Sequence, residues 1–594
     1  MHLALTALAL GIALTALAPA RPALAQAVVY VNTTEDSRID TFEPCVPGGR
    51  CGLRSAIRTA QLEVAGAIVR ACFDPAEVPG ARACPPGAVP IRKSDPGYDP
   101  RIDRWVIKLA DPNPIEMNVR QTFVDLRQGL DWKSPADNKF VIDASGLDID
   151  HVFAMESDRN ILAGFEIRGS FTRSAILIRG GRTRDESRFN QVGPGVIFAN
   201  MPAGSGVHIV SKDTNQNRII GNWCGITGDG TQVSPLTDDC VYLEQGTTKN
   251  VIGDASPGGR NIFAATSEGA GVRIEDSEFV GLDVRTRDNV IEYNWFGLDA
   301  AGEATEGLDS GLVLVWSPNN KVSHNVISNS RNAGVAVFNV LTGTLISDNI
   351  IGGGPDGSTC RGNKGDGVFM ISGPSLSRIE RNRVVCNAGN GVTLQGPNTV
   401  DNVISENSIR SVGGKPISLL SDANRKIKPP TLGDVSETSL TGTACAGCTV
   451  EVFSDNDRQA QYFEGRVVAD ASGAFVLDKP EGWQGRYVTA SQSRDGNGSE
   501  LATAKLVGNI GRRTPTPTGA VPTWTPAVSE TPGPSASPSP TPRPQLTFTH
   551  RIHLPILARG QADLGRAGVA VPSARQGADR SFELLRLARA LFLR

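Results

Sequence analysis

Through the middle of the chain, hydrophobic residues recur in a short unit, Gly-hydrophobic-x-hydrophobic, rather than at the i, i+3, i+4 spacing of a helix. The unit reads Gly206-Val-His-Ile, Gly271-Val-Arg-Ile, Gly311-Leu-Val-Leu, Gly334-Val-Ala-Val, Gly367-Val-Phe-Met and Gly391-Val-Thr-Leu, and Cys240-Val-Tyr-Leu fills the slot between the first two. An asparagine follows each strand: Asn222, Asn261, Asn294, Asn325, Asn349, Asn382 and Asn407. Gly311 and Gly334 lie 23 residues apart and Gly367 and Gly391 lie 24 apart, which sets a minimal coil. Larger gaps, such as the 33 residues from Gly334 to Gly367, predict loops pushed out of one corner.

A longer repeat overlies the short one. The stretch beginning Asn289-Val-Ile-Glu-Tyr-Asn-Trp-Phe-Gly echoes Asn217-Arg-Ile-Ile-Gly-Asn-Trp-Cys-Gly, 72 residues earlier. Trp295 then falls over Trp223, Gly297 over Gly225 and Gly302 over Gly230. Recurrence of this kind predicts a stacked solenoid. Short strands pair with the coils above and below, glycine permits the tight corners, and asparagines stack into amide ladders. The fold class expected is all-β, with about residues 105–420 forming the solenoid. The pattern resembles the right-handed parallel β-helix of the pectate-lyase-like superfamily.

The flanks divide the rest. Leu3 to Ala18 is an apolar run ending in prolines, and Ala23-Leu24-Ala25 is a small-residue cleavage site, so residues 1–25 read as a secretory signal. Residues 26–104 read as an N-terminal cap. There Leu53, Ala56, Ile57 and Ala60 place an apolar face on a short helix. The run Cys51-Gly-Leu-Arg-Ser-Ala-Ile resembles the Cys-Ser-Leu-Arg-Glu-Ala-Ile motif at the start of many exported β-helix proteins, which implies a structural capping role. Residues 105–424 form the β-helix, and 425–508 hold several short strands between Gly/Asp/Asn turns, a small β-sandwich. Thr449-Val-Glu-Val-Phe, Asp470-Ala-Ser-Gly and Asn497-Gly-Ser-Glu in that segment resemble bacterial Ig-like modules. Residues 509–545 are a Pro/Thr/Ser-rich linker unable to bury a core, and 546–594 a tail.

Composition refines this picture. A net charge of -3 supplies no basic patch for nucleic acid. No other stretch is long and apolar enough to span a bilayer, so the mature chain is expected to be secreted or extracellular, attached to the cell surface or free. Ten cysteines suit that compartment. They fall into five near-neighbour pairs: Cys45 and Cys51, Cys72 and Cys84, Cys224 and Cys240, Cys360 and Cys386, Cys445 and Cys448. Local disulfides are the expected reading, in preference to metal sites.

Candidate chemistry lies on one strand face. If the two hydrophobics of each unit point inward, the x residue and the one after the unit point outward. Successive coils then present His208, Tyr242 with Glu244, and Arg273 with Glu275, on rungs about 4.8 Å apart. A polysaccharide lyase would need a base, Tyr242 or His208, and a cation, Arg273, for the developing charge. A hydrolase would use the two carboxylates. The superfamily's recognisable catalytic signatures, such as an outward Asp-Asp pair, are absent, and Asp238-Asp239 falls in a turn. No cofactor is expected, because the acidic loop of Asp299, Glu303, Glu306 and Asp309 lacks the spaced consensus of a calcium site. Trp223 and Trp295 read as corner filling rather than sugar platforms. The expectation is a monomeric surface β-helix protein in adhesion, surface structure or glycan binding, with a polysaccharide or envelope component as partner. The alternative is a polysaccharide lyase or glycoside hydrolase. Later coils put Val313, Val315, Ala336, Phe338, Phe369 and Ile371 on the same face, an apolar stripe that should be covered by residues 51–135, a corner loop or the C-terminal module.

Overall fold

The computed structural model describes residues 27–508 apart from 37–43, 47, 63–66, 128–129, 181–185, 257, 277–280, 282–283 and 340–341. The expected signal, linker and tail lie outside the described residues.

Each coil visits three long sheets in turn, of 12, 12 and 11 strands. The first runs from Val28–Val31 to Val403–Ser405, the second from Tyr98–Asp99 to Ser408–Arg410, and the third from Ile115–Met117 to Ile417–Leu420. Pairing is parallel from coil to coil, with one antiparallel strand, Tyr98–Asp99, at the start of the second sheet. This is a right-handed parallel β-helix. The ladder is already under way at Val28–Val31 and Ile68–Ala71, so the segment read as a cap also supplies strands. The helix expected there, Leu53–Leu62, buries Leu53, Ala56, Ile57 and Ala60 against the first strands. Arg54 turns inward too, and pairs with Asp36 at 3.0 Å.

One continuous core fills the coils from Val31 to Ile417, with Trp105, Phe140, Phe165, Phe198, Phe263 and Phe296 among its bulkiest buried members. Its corners are polar inside. The seven asparagines predicted as rungs form a single ladder: each backbone N–H donates to the next side-chain oxygen at 2.9–3.3 Å. A second ladder at another corner joins Asn160, Asn190, Asn217, Asn250, Asn289 and Asn320 at 2.8–3.0 Å. Asparagine carries donor and acceptor on one short side chain, so every rung satisfies the rung before it.

Beyond the second sheet lies a further layer. Corner hairpins close at Ile226 with Val233, Leu298 with Ala304 and Gly353 with Cys360. These are three copies of one device, and the 72-residue repeat holds the first two. A Cβ on Gly230 would sit 2.8 Å from the Trp223 ring, and one on Gly302 would sit 3.0 Å from Pro355. Trp223 is thereby buried under its hairpin, the corner filling expected of it.

All five cysteine pairs are disulfides. After the last coil come two antiparallel sheets, one of Thr431–Val435, Ser439–Thr443 and Ala474–Asp478, the other built on Thr449–Asp455 and Tyr487–Arg494. They enclose their own core of Leu440, Val450, Val452, Phe475 and Val488. The outward apolar stripe is largely covered. Val313, Ala336 and Phe369 are only 2%, 4% and 7% exposed, and they pack with Val315, Phe338, Ile371 and two turn residues, Ala270 and Ala333. Among the described residues that cluster draws on neither residues 51–135 nor the sandwich, and its members stack at rung spacing with turn residues from the coil corners.

Candidate functional site

The third sheet places all five candidate residues as the alternation predicts. His208 pairs in register with Tyr242, Tyr242 with Arg273, and Glu244 with Glu275. The prediction of a common outer face holds at the level of geometry. The side chains are only partly solvated, however, with Glu244 23% exposed. His208 is 4% exposed, and the Arg273 and Glu275 side chains are 12% and 14% exposed.

They form two linked groups. The His208 and Tyr242 rings stack at 4.8 Å, nearly parallel, and both reach the same carboxylate. His208 Nε2 lies 3.0 Å from Glu244 Oε1, and the Tyr242 hydroxyl donates to Glu244 Oε2 at 3.0 Å. One rung on, Arg273 Nε donates to Asp239 Oδ2 at 2.8 Å and its Nη1 lies 3.7 Å from Glu275. Asp239 is the member the sequence reading missed. It precedes Cys240 by one residue, and the turn brings it onto the outer face, where its other oxygen accepts the Ala270 N–H at 2.6 Å. Alternation counted only from the glycine leaves that column out.

Electrostatics follow from this wiring. Burial, with the Glu275 and Glu244 carboxylates, pushes the Tyr242 hydroxyl well above its ordinary value. Burial pushes Glu244 up, but the bonds from His208 and Tyr242 outweigh it and hold the carboxyl below the usual range. Burial also works against the Arg273 cation, yet Asp239 and Glu275 hold its pKa above normal. A tyrosine that resists ionisation is a poor base, and a guanidinium already claimed by two carboxylates is a poor clamp. Glu244 and Glu275 sit on adjacent rungs, close to the separation a retaining hydrolase uses, but each is bonded to a neighbour.

Among the described residues no group of three His, Cys, Asp or Glu is placed to hold a metal ion. In the acidic loop Asp299 accepts the Ala301 and Glu303 N–H groups, Glu303 pairs with Arg361, Asp309 accepts from Asn332, and Glu306 is exposed.

A family described as periplasmic copper-binding protein (NosD) matches residues 224–427, about a third of the chain. Copper favours thiolate, thioether and imidazole ligands. That span holds four cysteines, all in disulfides, one methionine, Met370, buried in the core, and one histidine, His324, stacked on Tyr293. These residues do not fit a copper site. No curated protein matches the sequence. Among solved structures the chain is similar to the periplasmic alginate epimerase AlgG, at 15% identity over 52% of this chain and 68% of that one, with a TM-score of 0.32. It is also similar to the A-module of the mannuronan C-5 epimerase AlgE4 of Azotobacter vinelandii, at 13% identity over 65% and 99%, with a TM-score of 0.35. The Dettilon tailspike protein is a third, at 11% identity over 78% of each chain and a TM-score of 0.29. Likenesses this distant name no substrate for this chain, which stands as a parallel β-helix protein with a closed polar network on its third sheet.

Proposed function

We propose that this is an exported β-helix protein that binds a polysaccharide or envelope component, in adhesion or surface structure, and does not turn it over. One observation carries the reading. The side chains best placed for chemistry are bonded to one another, with only the buried His208 Nδ1 left without a partner: Glu244 engages His208 and Tyr242, and Asp239 with Glu275 engages Arg273. Export is supported by the signal-like N-terminus, by the five disulfides, and by the periplasmic description of the family matching residues 224–427. Among the described residues no helix is long and apolar enough to cross a membrane. Placement at the cell surface rests on the Pro/Thr-rich stretch as a spacer.

The test is incubation with a panel of acidic polysaccharides, following both binding and product. Binding without release of unsaturated or reducing sugar is the expected result. Release that disappears in Arg273→Ala and Tyr242→Phe overturns the reading in favour of a lyase or hydrolase.

A further inference from the structure

A different corner of the coil, between the first and second sheets, carries a cation of another kind. Arg260 follows the first-sheet strand Val251–Ile252 and immediately precedes the ladder residue Asn261. Its guanidinium lies over the Trp295 indole, 4.2 Å from the ring centroid. Among the described residues it makes no ion pair, and no acceptor takes a hydrogen bond from its side chain. The contrast with Arg273 is direct, since that guanidinium is clamped by Asp239 and Glu275. Burial alone lowers the Arg260 pKa, with no carboxylate acting against it. The residue is half-buried, and its nitrogens are absent from the buried polar atoms that lack a partner, so the guanidinium still meets solvent.

This is an unfinished interaction. A half-desolvated cation without a counter-ion is costly, and an arriving anion recovers that cost. Stacking on indole fixes the plane of the guanidinium and leaves its N–H edge free, the geometry that receives two oxygens at once. Next along the corner, Tyr293 and His324 stack at 4.9 Å, nearly parallel, on the two following coils. Trp295 itself is half-buried, unlike Trp223 under its hairpin. An oxyanion-binding edge beside aromatic faces suits a ring that carries a carboxylate.

We propose that the corner formed by Arg260, Trp295, Tyr293 and His324 binds an acidic saccharide, with the sugar carboxylate on the Arg260 guanidinium edge. The saccharide part rests on the glycan-binding reading above; the anionic oxygens rest on Arg260 alone. A sulfate ester offers the same oxygens, so the test separates the two sources.

Titration calorimetry on the full chain would use oligomers of a polyuronate, a sulfated galactan and a neutral glucan. Wild type should bind the polyuronate, and added salt should weaken the binding. Arg260→Gln should lose about tenfold or more in affinity, the loss of one charge-assisted pair. Arg260→Lys should recover part of it, because the charge survives and the two-pronged geometry does not. Circular dichroism checks that both variants fold, and Arg101→Gln, which removes an exposed cation paired with Asp99, should bind as wild type does. Tighter binding of the sulfated galactan, lost in Arg260→Gln, keeps the site and moves its ligand to a sulfate ester. Polyuronate binding unchanged in both Arg260 variants overturns this inference and leaves the glycan reading standing. No binding to any of the three removes both.

Discussion

Single residues decide how this scaffold responds to acid and to loss of charge. His151 is 6% exposed and neither ring nitrogen has a hydrogen-bond partner. Burial and the Arg179 charge, with Arg173 adding to them and Asp150 and Glu156 opposing, depress its pKa from 6.5 to about 4. A base depressed in the folded state takes up its proton more readily when unfolded, so stability falls as pH drops from about 6.5 towards 4 and levels off below. By linkage that window is worth about 3 kcal/mol. Urea unfolding at stepped pH should show this slope in wild type and lose it in His151→Gln; parallel slopes would mean the imidazole does not titrate there. Glu166 works through charge rather than protons. It is fully buried on the second sheet, bonded to Arg104 at 2.6 Å and to Arg168. Glu166→Gln strands the Arg104 cation, itself 9% exposed, without its counter-ion. Breaking a buried pair this way should cost about 3–5 kcal/mol, read as a drop in the urea midpoint with its slope unchanged. Neither residue announces itself in the sequence, because the burial of both and the Arg104 and Arg179 charges that act on them come from other coils.

At the scale of elements, strands and ladders were legible because they obey local rules. Period-two alternation placed His208, Tyr242 and Arg273 on one face, and the recurring asparagines placed a whole ladder. What alternation could not supply was the closing of that face. Whether Arg273 meets solvent depends on Asp239, which reaches it only because of the turn before Cys240. The hairpins were half legible. The repeat flagged Gly230 and Gly302, but the third copy, with Gly357, replaces tryptophan by Ile350 and so fell below notice. Glycine at these sites answers two demands at once, a left-handed backbone and a side chain close beneath. Gly230 has φ 79° and would set a Cβ 2.8 Å from Trp223, whereas Gly146 has φ 87° and open space around it. Gly146→Ala should therefore cost about 1–2 kcal/mol for the backbone alone. Gly230→Ala should cost about 1–3 kcal/mol more, for the displaced ring. Equal costs in chemical denaturation would show that the hairpin yields and the indole is not held.

The whole molecule raises the question of how an open-ended stack is closed. A solenoid's last coil leaves strand edges and apolar core exposed unless something covers them. At the N-terminal end the helix Leu53–Leu62 packs onto the first strands. At the other end the sandwich does more than follow in sequence. Phe453 and Ala460 belong to the main core, and Ala460 bridges in antiparallel fashion to Ile409 of the final coils. Buried Glu451 accepts the Ser405 hydroxyl at 2.6 Å, the Glu406 N–H at 2.9 Å and Arg466. Glu500 accepts Lys415 and the Leu419 N–H, and Asn424 of the last turn donates to Gly498 at 3.0 Å. Three carboxylate or amide pins and a shared core make the sandwich a lid on the stack, a role its composition alone did not suggest. Ending the chain at residue 428 would uncover Ile409, Val412 and Ile417, now 1%, 6% and 5% exposed. Such a chain should associate through its open end more than the full chain does, seen as larger species on size-exclusion chromatography and loss of a sharp thermal transition. A truncated chain that eluted and melted like the parent would make the sandwich an appendage. Glu451→Ala is the milder test of the same lid. It removes the acceptor of four bonds from three residues without exposing the core, so it should lower the melting temperature while leaving the elution volume unchanged.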